Sequence, residues 1–315
     1  MNILLCGSMA YDYIMDFPDS FKNHILPEKI HILNVCFVVD NLKKNFGGCA
    51  GNIAYNIKKL GFEPIIFSSL GSDAKDYVEY LKKHNIMTDY LHISKEKLTS
   101  TAHITTDKDD NQIIAFYNGA LSEKTEIEIK DIKEEISLAI LAPTDKDAMI
   151  KQSKELYESG IPFVFDPSHQ LTAFSRSELM KIIGQAKFYI ANDYEMELTL
   201  DKLQFDKTEL LKHVEVLVVT KGDKGSVVYS GEKEFEIGIC PVISADDPTG
   251  AGDAYRAGFF TAYLSGYDYQ TCGQVGATIS AYAIEKYGTQ NHDFSYVDFQ
   301  KRYENAFGEA IDLRL

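Results

Sequence analysis

Four short runs of uninterrupted apolar residues set the limits on how this chain folds: Leu138–Leu141, Phe163–Phe165, Phe188–Ile190 and Val216–Val219. A strand with one wet face alternates apolar and polar residues, whereas a run apolar at every position needs cover on both faces. Segments with helical periodicity separate most of these runs, over Lys146–Glu158, Ser175–Ala186 and Glu195–Leu200. Such strands alternating with helices predict an α/β fold, with helices on both faces of a mostly parallel central sheet.

The same pattern extends outward. Ile3–Cys6 and Pro64–Ser68 read as strands, and Asn52–Leu60 and Asp73–His84 as helices, the first stopped by Gly61. Val227–Tyr229 and Glu234–Ile239 add strands near one end of the sheet, and helices over 254–264, 272–287 and 296–306 finish the chain. Thr101–Thr106 and Gln112–Tyr117 predict a hairpin around residues 107–111, and Val35–Val39 a further strand. These do not fit the alternation. They predict a small sheet projecting from the core as a lid, from about 13–46 and 98–118, on a single domain spanning 1–315; an extension of the main sheet is the plainer alternative.

Composition narrows the function. With 32 basic and 47 acidic residues, a net charge of −15 argues against nucleic acid as a main partner, since phosphate contacts need clustered Lys and Arg. The five cysteines (Cys6, Cys36, Cys49, Cys240 and Cys272) are odd in number and lack Cys-x-x-Cys spacing. That pattern fits reduced thiols in a cytoplasm. The N-terminal segment has no basic region and reads as a first strand, not a signal peptide, and no apolar run approaches membrane-spanning length.

The chemistry concentrates in Asp246-Asp-Pro-Thr-Gly-Ala-Gly-Asp253. A strand-like run, Pro241–Ala245, feeds this loop, and the loop opens a helix. Gly250, Ala251 and Gly252 bring bare backbone N–H groups to the helix N-terminus, where unpartnered donors and the helix dipole attract anions. Asp253 stands on the first helical turn. A phosphate cradle with a base beside it points to phosphoryl transfer to a hydroxyl. A capped helix after a tight turn would explain one or two of these residues, but not three small ones enclosed by Asp247 and Asp253.

Other segments are weaker alone. In Gly47-Gly48-Cys-Ala-Gly-Asn52 the glycines permit close approach by a ligand and Asn52 begins a helix, though an Asn-capped loop reads the same way. Asn192 and Glu195 follow the 188–190 strand and can hold magnesium through water, or simply cap a helix. Thr220-x-Gly222-x-x-Gly225 follows the 216–219 strand and can approach a nucleotide, or serve as a turn. Asp12, after the first strand, can accept hydrogen bonds from paired sugar hydroxyls, or be an ordinary surface carboxylate. Neither a Walker A loop nor a complete dinucleotide fingerprint occurs, Tyr255 standing at the third Gly position of the latter.

In order and spacing these segments resemble the ribokinase superfamily, the phosphofructokinase-B family of carbohydrate kinases, over nearly the full length. Within it, Asp107–Gln112, Phe116-x-x-Gly119-Ala120, Phe165-Asp-Pro167 and Pro248–Phe259 are most similar to microbial nucleoside (adenosine) kinases. The resemblance implies a ribokinase-like three-layer α/β/α fold with a small β-sheet lid. It implies that Asp253 deprotonates a ribose 5′-hydroxyl and that the backbone of Gly250, Ala251, Gly252 and Asp253 forms the anion hole. Asn192 and Glu195 would organise Mg2+ and phosphates. Thr220, Gly222, Gly225 and Thr249 would line the ATP site. Asp12, Gly47, Gly48 and Asn52 would hold the ribose, with Gln112 and Phe116 of the lid near the base.

There are departures from the family. Gly276 stands in the late helix where relatives often carry an Asn that approaches the nucleotide, and Pro248 replaces a frequent hydroxyl residue. Lys286 and His292 fall near positions where some relatives bind a monovalent cation, which implies no potassium requirement. The expected activity is ATP-dependent phosphorylation of a nucleoside, adenosine foremost, in the cytoplasm, with a homodimer through the lid allowed. A sugar kinase of the same superfamily and a non-catalytic nucleoside sensor are the rivals. The intact Asp253 argues against the sensor, and the lack of basic residues near Asp12 and Gly48 argues against a sugar phosphate.

Overall fold

The strand nearest the N-terminus, β1 (Asn2–Cys6), lies inside the main sheet, not at its edge, in a computed structural model that describes residues 1–109, 111–123, 125 and 127–313. Asp110 of the 107–112 segment lies outside the described residues. After β1 come β2 (Ala10–Asp16), β3 (Asn41–Gly47), α1 (Cys49–Lys59), β4 (Glu63–Leu70), α2 (Lys75–Lys83), β5 (Leu91–Ile93), β6 (Ser100–Thr106) and β7 (Gln112–Tyr117). The βα alternation follows with β8 (Leu138–Leu141), α3 (Lys146–Glu158), β9 (Phe163–Phe165), α4 (Arg176–Gln185), β10 (Phe188–Asn192), α5 (Asp193–Leu203), α6 (Lys207–Leu210) and β11 (Val216–Thr220). Two antiparallel strands, β12 (Ser226–Ser230) and β13 (Lys233–Ile237), then three helices, α7 (Ala251–Leu264), α8 (Tyr269–Ile284) and α9 (Tyr296–Phe307), complete it.

Among the described residues the main sheet has nine strands in the order β13-β12-β11-β10-β9-β8-β1-β4-β5, parallel from β11 to β5. Successive residues of its central strands enter opposite cores. Ile3, Leu5, Ile140, Val164, Phe188, Ile190 and Val218 pack with α1, α7, α8 and α9. Leu4, Cys6, Ala139, Leu141, Phe163, Phe165, Tyr189 and Leu217 pack with α3, α4 and α5. Each fully buried large apolar side chain contributes roughly 1.5–3 kcal/mol, which is why runs apolar at every position form these strands. The expected three-layer α/β/α arrangement is what results.

The smaller sheet, β3-β2-β6-β7, is the lid. Its strand β2 pairs antiparallel with β3 and parallel with β6, and β6 pairs antiparallel with β7. The chain passes between core and lid four times, and two of these connections are very short: residues 7–9 between β1 and β2, and Gly48 alone between β3 and α1.

Two local expectations are corrected, and one departure from the family is explained. Residues 35–39 form no strand: Phe37 packs on Phe17 and Phe21 while Val38 is exposed. The strand lies further on, in the lysine-bearing β3, where charge suits an unpaired sheet edge. Residues 241–245 are also not a strand. Their backbone is held from the side, Ile243 N–H donating to Glu285 and the Pro241 carbonyl accepting from Arg302. Finally, Gly276 lies in the α7–α8 crossing, where a Cβ would come within 2.9 Å of the Tyr255 ring, so the close packing of two helices explains that glycine.

Candidate active site

The loop before α7 is organised by Asp247. Its buried carboxylate accepts from Thr249 N–H at 2.9 Å and Gly288 N–H at 3.0 Å. The chain then turns into α7 through Gly250, which caps the helix in the left-handed region at φ 80°. A Cβ there would also stand 2.9 Å from Thr289 Cγ2, so both backbone and space require glycine. Gly252 and Asp253 follow in the first turn, and their N–H groups have no partner within the helix. The result is a fixed anion cradle.

Asp253 points from that turn toward α1, where the Asn52 amide donates to its Oδ2 at 2.8 Å. Burial pushes the Asp253 carboxyl up to about 6; Arg256 and Asn52 hold it from rising further, and Asp166 adds to the rise. A carboxylate with that value is largely ionised at pH 7 yet basic enough to take a proton. Arg256, one turn along α7, donates to the Gly252 carbonyl at 2.9 Å and through Nη2 to the buried Asp166 at 2.8 Å, the two charges forming a buried ion pair. The floor of the cradle is therefore clamped to the loop after β9.

The residues expected to hold the acceptor lie at the joint between lid and core. Asp12 of β2 packs onto Gly47, where a Cβ would sit 2.0 Å from its Oδ2. Burial, then the charges of Asp253 and Asp247, push Asp12 up to about 7. Gly48 caps α1 at φ 85°, and a Cβ would meet Ala10 N and Ser8 O at 2.7 Å. Asn52, expected to begin the helix, instead lies a turn inside it, buried, with its amide turned to Asp253. The first N–H groups of α1 are taken by Ser8.

Across the lid, Asp12 pairs with Ala102 and Ala102 with Phe116. Laterally paired residues share a face, so Phe116 stands on the Asp12 side of the sheet. The next rung on that face, Ile14–Ile104–Ile114, is apolar, and Phe116 reaches the loop after β9 at His169, with ring centroids 6.4 Å apart. Gln112 lies two rungs beyond Phe116 on the same face, opposite Thr106 and exposed. It stands toward the far end of the lid from Asp12.

The residues expected on the nucleotide side gather at the strand ends of β10 and β11, where Asn192 and Thr220 pair directly. Asn192 and Glu195 form a capping box on α5: Asn192 Oδ1 accepts from Glu195 N–H at 2.7 Å and Glu195 Oε2 from Asn192 N–H at 2.8 Å. Ser168, in the left-handed region at φ 40°, donates to Glu195 Oε1 at 2.9 Å. The helix-cap alternative thus accounts for this pair, and a direct metal ligand set is not what its geometry offers. Among the described residues, no group of three or more His, Cys, Asp or Glu could hold a metal ion. Gly222 faces open space at φ 57°, whereas Gly225 is pressed against the Ile237 carbonyl. His292 is buried on α1, with Asn56 Oδ1 2.7 Å from its Nε2 and burial pushing it down to about 4, so it does not line the Asp247 loop.

Sequence reasoning assigned no role to Arg256, Asp166, Gln290 or Tyr77. Arg256 stood inside a run already singled out, four residues after Gly252, where a helix returns it to the same face. Gln290 had no local signal, because its partners lie more than 200 residues away.

No helix among the described residues is long and apolar enough to cross a membrane. Residues 23–294 match the pfkB family of carbohydrate kinases. The chain is 36% identical over 293 residues to a nucleoside kinase of Methanocaldococcus jannaschii, covering 92% of this chain and 93% of that one. It superposes on Burkholderia thailandensis nucleoside kinase in complex with inosine at a TM-score of 0.91, with 33% identity and coverage of 98% and 99%. The ADP-inosine complex of that protein superposes at 0.88, with 34% identity and coverage of 98% and 97%.

Proposed function

Since the chain belongs to the pfkB family of carbohydrate kinases, we propose that it transfers the γ-phosphoryl group of ATP to the 5′-hydroxyl of a nucleoside, with adenosine the expected acceptor and AMP and ADP the products. The observation that carries the nucleoside reading is the rung Asp12–Ala102–Phe116, which sets a hydroxyl-binding carboxylate and an apolar, aromatic slot on one face of the lid. Three carboxylates, Asp12, Asp247 and Asp253, influence this pocket and would repel a sugar phosphate. The ADP-inosine complex of the Burkholderia protein supports an ATP site beside a nucleoside site.

In this reading Asp12 accepts the ribose hydroxyls, with Gly47 and Gly48 letting the sugar approach the backbone. Asp253 takes the 5′-hydroxyl proton as the oxygen attacks. The N–H groups at the start of α7 receive the charge of the phosphoryl in flight, a fixed electrostatic arrangement of the kind that phosphoryl transfer needs. Thr220, Gly222, Gly225 and Thr249 line the ATP, and Gln112 reaches the base only from the lid's far end. Asn192 and Glu195 fit magnesium only through water, since their oxygens are already bonded within the protein. The hydrated ion there would offset the charge of the ATP phosphates. A cytoplasmic location and a homodimer through the exposed strand β7 belong to the same proposal.

A panel of adenosine, inosine, other nucleosides, ribose and fructose 6-phosphate, each with ATP, tests the acceptor. Preference for a free sugar or a sugar phosphate sinks the nucleoside reading. Asp253→Asn tests the base: turnover should fall about a hundredfold to ten-thousandfold while nucleoside still binds. Survival of turnover would remove Asp253 from that role.

A further inference from the structure

Behind the proposed base runs a chain of hydrogen bonds whose direction is fixed at its far end by a backbone carbonyl. The Gly47 carbonyl, at the end of lid strand β3, can only accept, and the fully buried Tyr77 hydroxyl of α2 lies 2.7 Å from it. Tyr77 has one proton, so it gives that proton to Gly47 and must accept from its other neighbour. That neighbour is Gln290, in the loop between α8 and α9, 2.9 Å away. Gln290 therefore presents its amide nitrogen to Tyr77. The same nitrogen lies 2.9 Å from Asn52, which must then present its oxygen. With its oxygen so engaged, Asn52 has only its NH2 to offer Asp253, and it does so at 2.8 Å.

Two further features fit this arrangement. Gly51 leaves the room: a Cβ there would stand 2.1 Å from Tyr77 Oη and 3.1 Å from Gln290 Nε2. Gln290 itself is buried and anchored, since its backbone carbonyl accepts from Tyr80 Oη at 3.1 Å, while its side-chain Oε1 has no partner. An amide that leaves its buried oxygen unsatisfied while spending both protons is oriented by its partners, not by its own preference.

We propose that Gln290 is a positioning residue: it holds the Asn52 amide with nitrogen toward Asp253, and through Tyr77 it ties that orientation to the lid strand at Gly47. The inference rests on Asp253 being the base. Were Asn52 to flip, its oxygen would face the carboxylate, and Asp253 would keep a proton when it should be free to take one. The charged and titratable groups facing Asp253 are Arg256 on α7, Asp166 after β9 and Cys49 on α1, with Asp12 on β2 coupled to it. Gln290 hydrogen-bonds none of them, and its direct link to Asp253 is the Asn52 amide.

The test is the pH profile of kcat with ATP and the preferred nucleoside. Gln290→Met keeps the side-chain volume and removes both protons. Loss of the Asn52 donor moves the acid limb of kcat upward by about one to two pH units from its wild-type position. About one pH unit above the wild-type limb, that lowers kcat about two- to tenfold, with recovery about two units higher and an unchanged KM for ATP. A role confined to packing would lower kcat by the same factor at every pH, and that outcome, or an unmoved limb in a folded variant, overturns the proposal. Should Gln290→Met fail to fold, Gln290→Leu removes the same two protons without adding a charge and moves the limb the same way. Combining Gln290→Met with Asn52→Ala should add no further movement of the limb, and an additive movement would refute transmission through Asn52. Asp253→Asn, assayed alongside, separates the two failures: retained turnover there removes the base itself, whereas loss of turnover with an unmoved Gln290→Met limb removes only the positioning.

Discussion

Asp12→Asn should stabilise the empty protein, and by an amount that depends on pH. Asp12 is buried beside two other carboxylates, and its pKa rises from an ordinary 3.8 to about 7. Between those values the folded protein keeps a proton that the unfolded chain releases. By linkage, the contribution of Asp12 to stability is then greatest below pH 4 and is lost as pH climbs toward 7. The rise corresponds to about 4 kcal/mol at about 1.4 kcal/mol per pH unit. Relaxation and water entry reduce this, so we expect about 2–4 kcal/mol of stabilisation at pH 8. At pH 4, where the wild-type carboxyl is neutral in the folded state, the two proteins should differ little. Urea unfolding followed by circular dichroism at pH 4, 6 and 8 measures the difference; the chain has no tryptophan, so fluorescence would rest on its 19 tyrosines. A gain equal at all three pH values, or no gain at pH 8, would refute the electrostatic account of this pocket. The same variant should lose nucleoside affinity if Asp12 accepts the ribose hydroxyls.

Three more expectations follow from the site. Arg256→Met leaves the buried Asp166 carboxylate unpaired and should cost about 3–5 kcal/mol, whereas Arg256→Met with Asp166→Leu should cost less than the single change; equal or additive losses in urea unfolding would mean the pair is not electrostatically coupled. Phe116→Ala should raise the KM for the nucleoside near fivefold, from about 1 kcal/mol of lost ring contact, and leave the KM for ATP alone; the opposite split in steady-state kinetics would place Phe116 outside the base slot. Nucleoside binding at pH 7 should release about half a proton, because hydroxyls donating to Asp12 favour its ionised form and the empty group is about half protonated there. Titration calorimetry in buffers of different ionisation heat reads that number directly, and zero release would contradict the Asp12 assignment.

The architecture was legible wherever one short segment carried its own signal. Leu138–Leu141 and Val216–Val219 are apolar at every position because both their faces are covered, and α3 was bounded at Lys146–Glu158 because Asp145 caps it and Gly160 follows it. The misread segments failed for the converse reason. Residues 35–39 are apolar yet pair with no strand: Phe37 packs on Phe17 and Phe21, while Cys36 and Val38 are exposed. β3 reads as polar because it is an edge, with Lys43 over the Tyr287 ring and Lys44 over that of Tyr11. An apolar run marks a strand where both faces of a sheet cover it, and outside a sheet it marks neither strand nor full burial.

The site divides along the same line. The cradle of Gly250–Asp253 could be read because a helix N-terminus is a local object: its donors, its left-handed turn and its carboxylate all lie within four residues. The acceptor pocket is not local. Asp12 and Phe116 meet only because β2 pairs parallel with β6 and β6 antiparallel with β7, a register that no motif encodes. Asn52 looked like a cap because Asn caps helices, yet Gly48 takes that place and frees Asn52 to face a residue 201 positions away. In the proposed reading the local half is an anion cradle with a base, chemistry usable on any hydroxyl. The choice of hydroxyl falls to the non-local half, where strand register sets an apolar face beside a carboxylate. An exchange of acceptor therefore requires changes on the lid rungs of Asp12, Ile14 and Phe116, and substitutions in the α7 loop should alter rate without altering that choice.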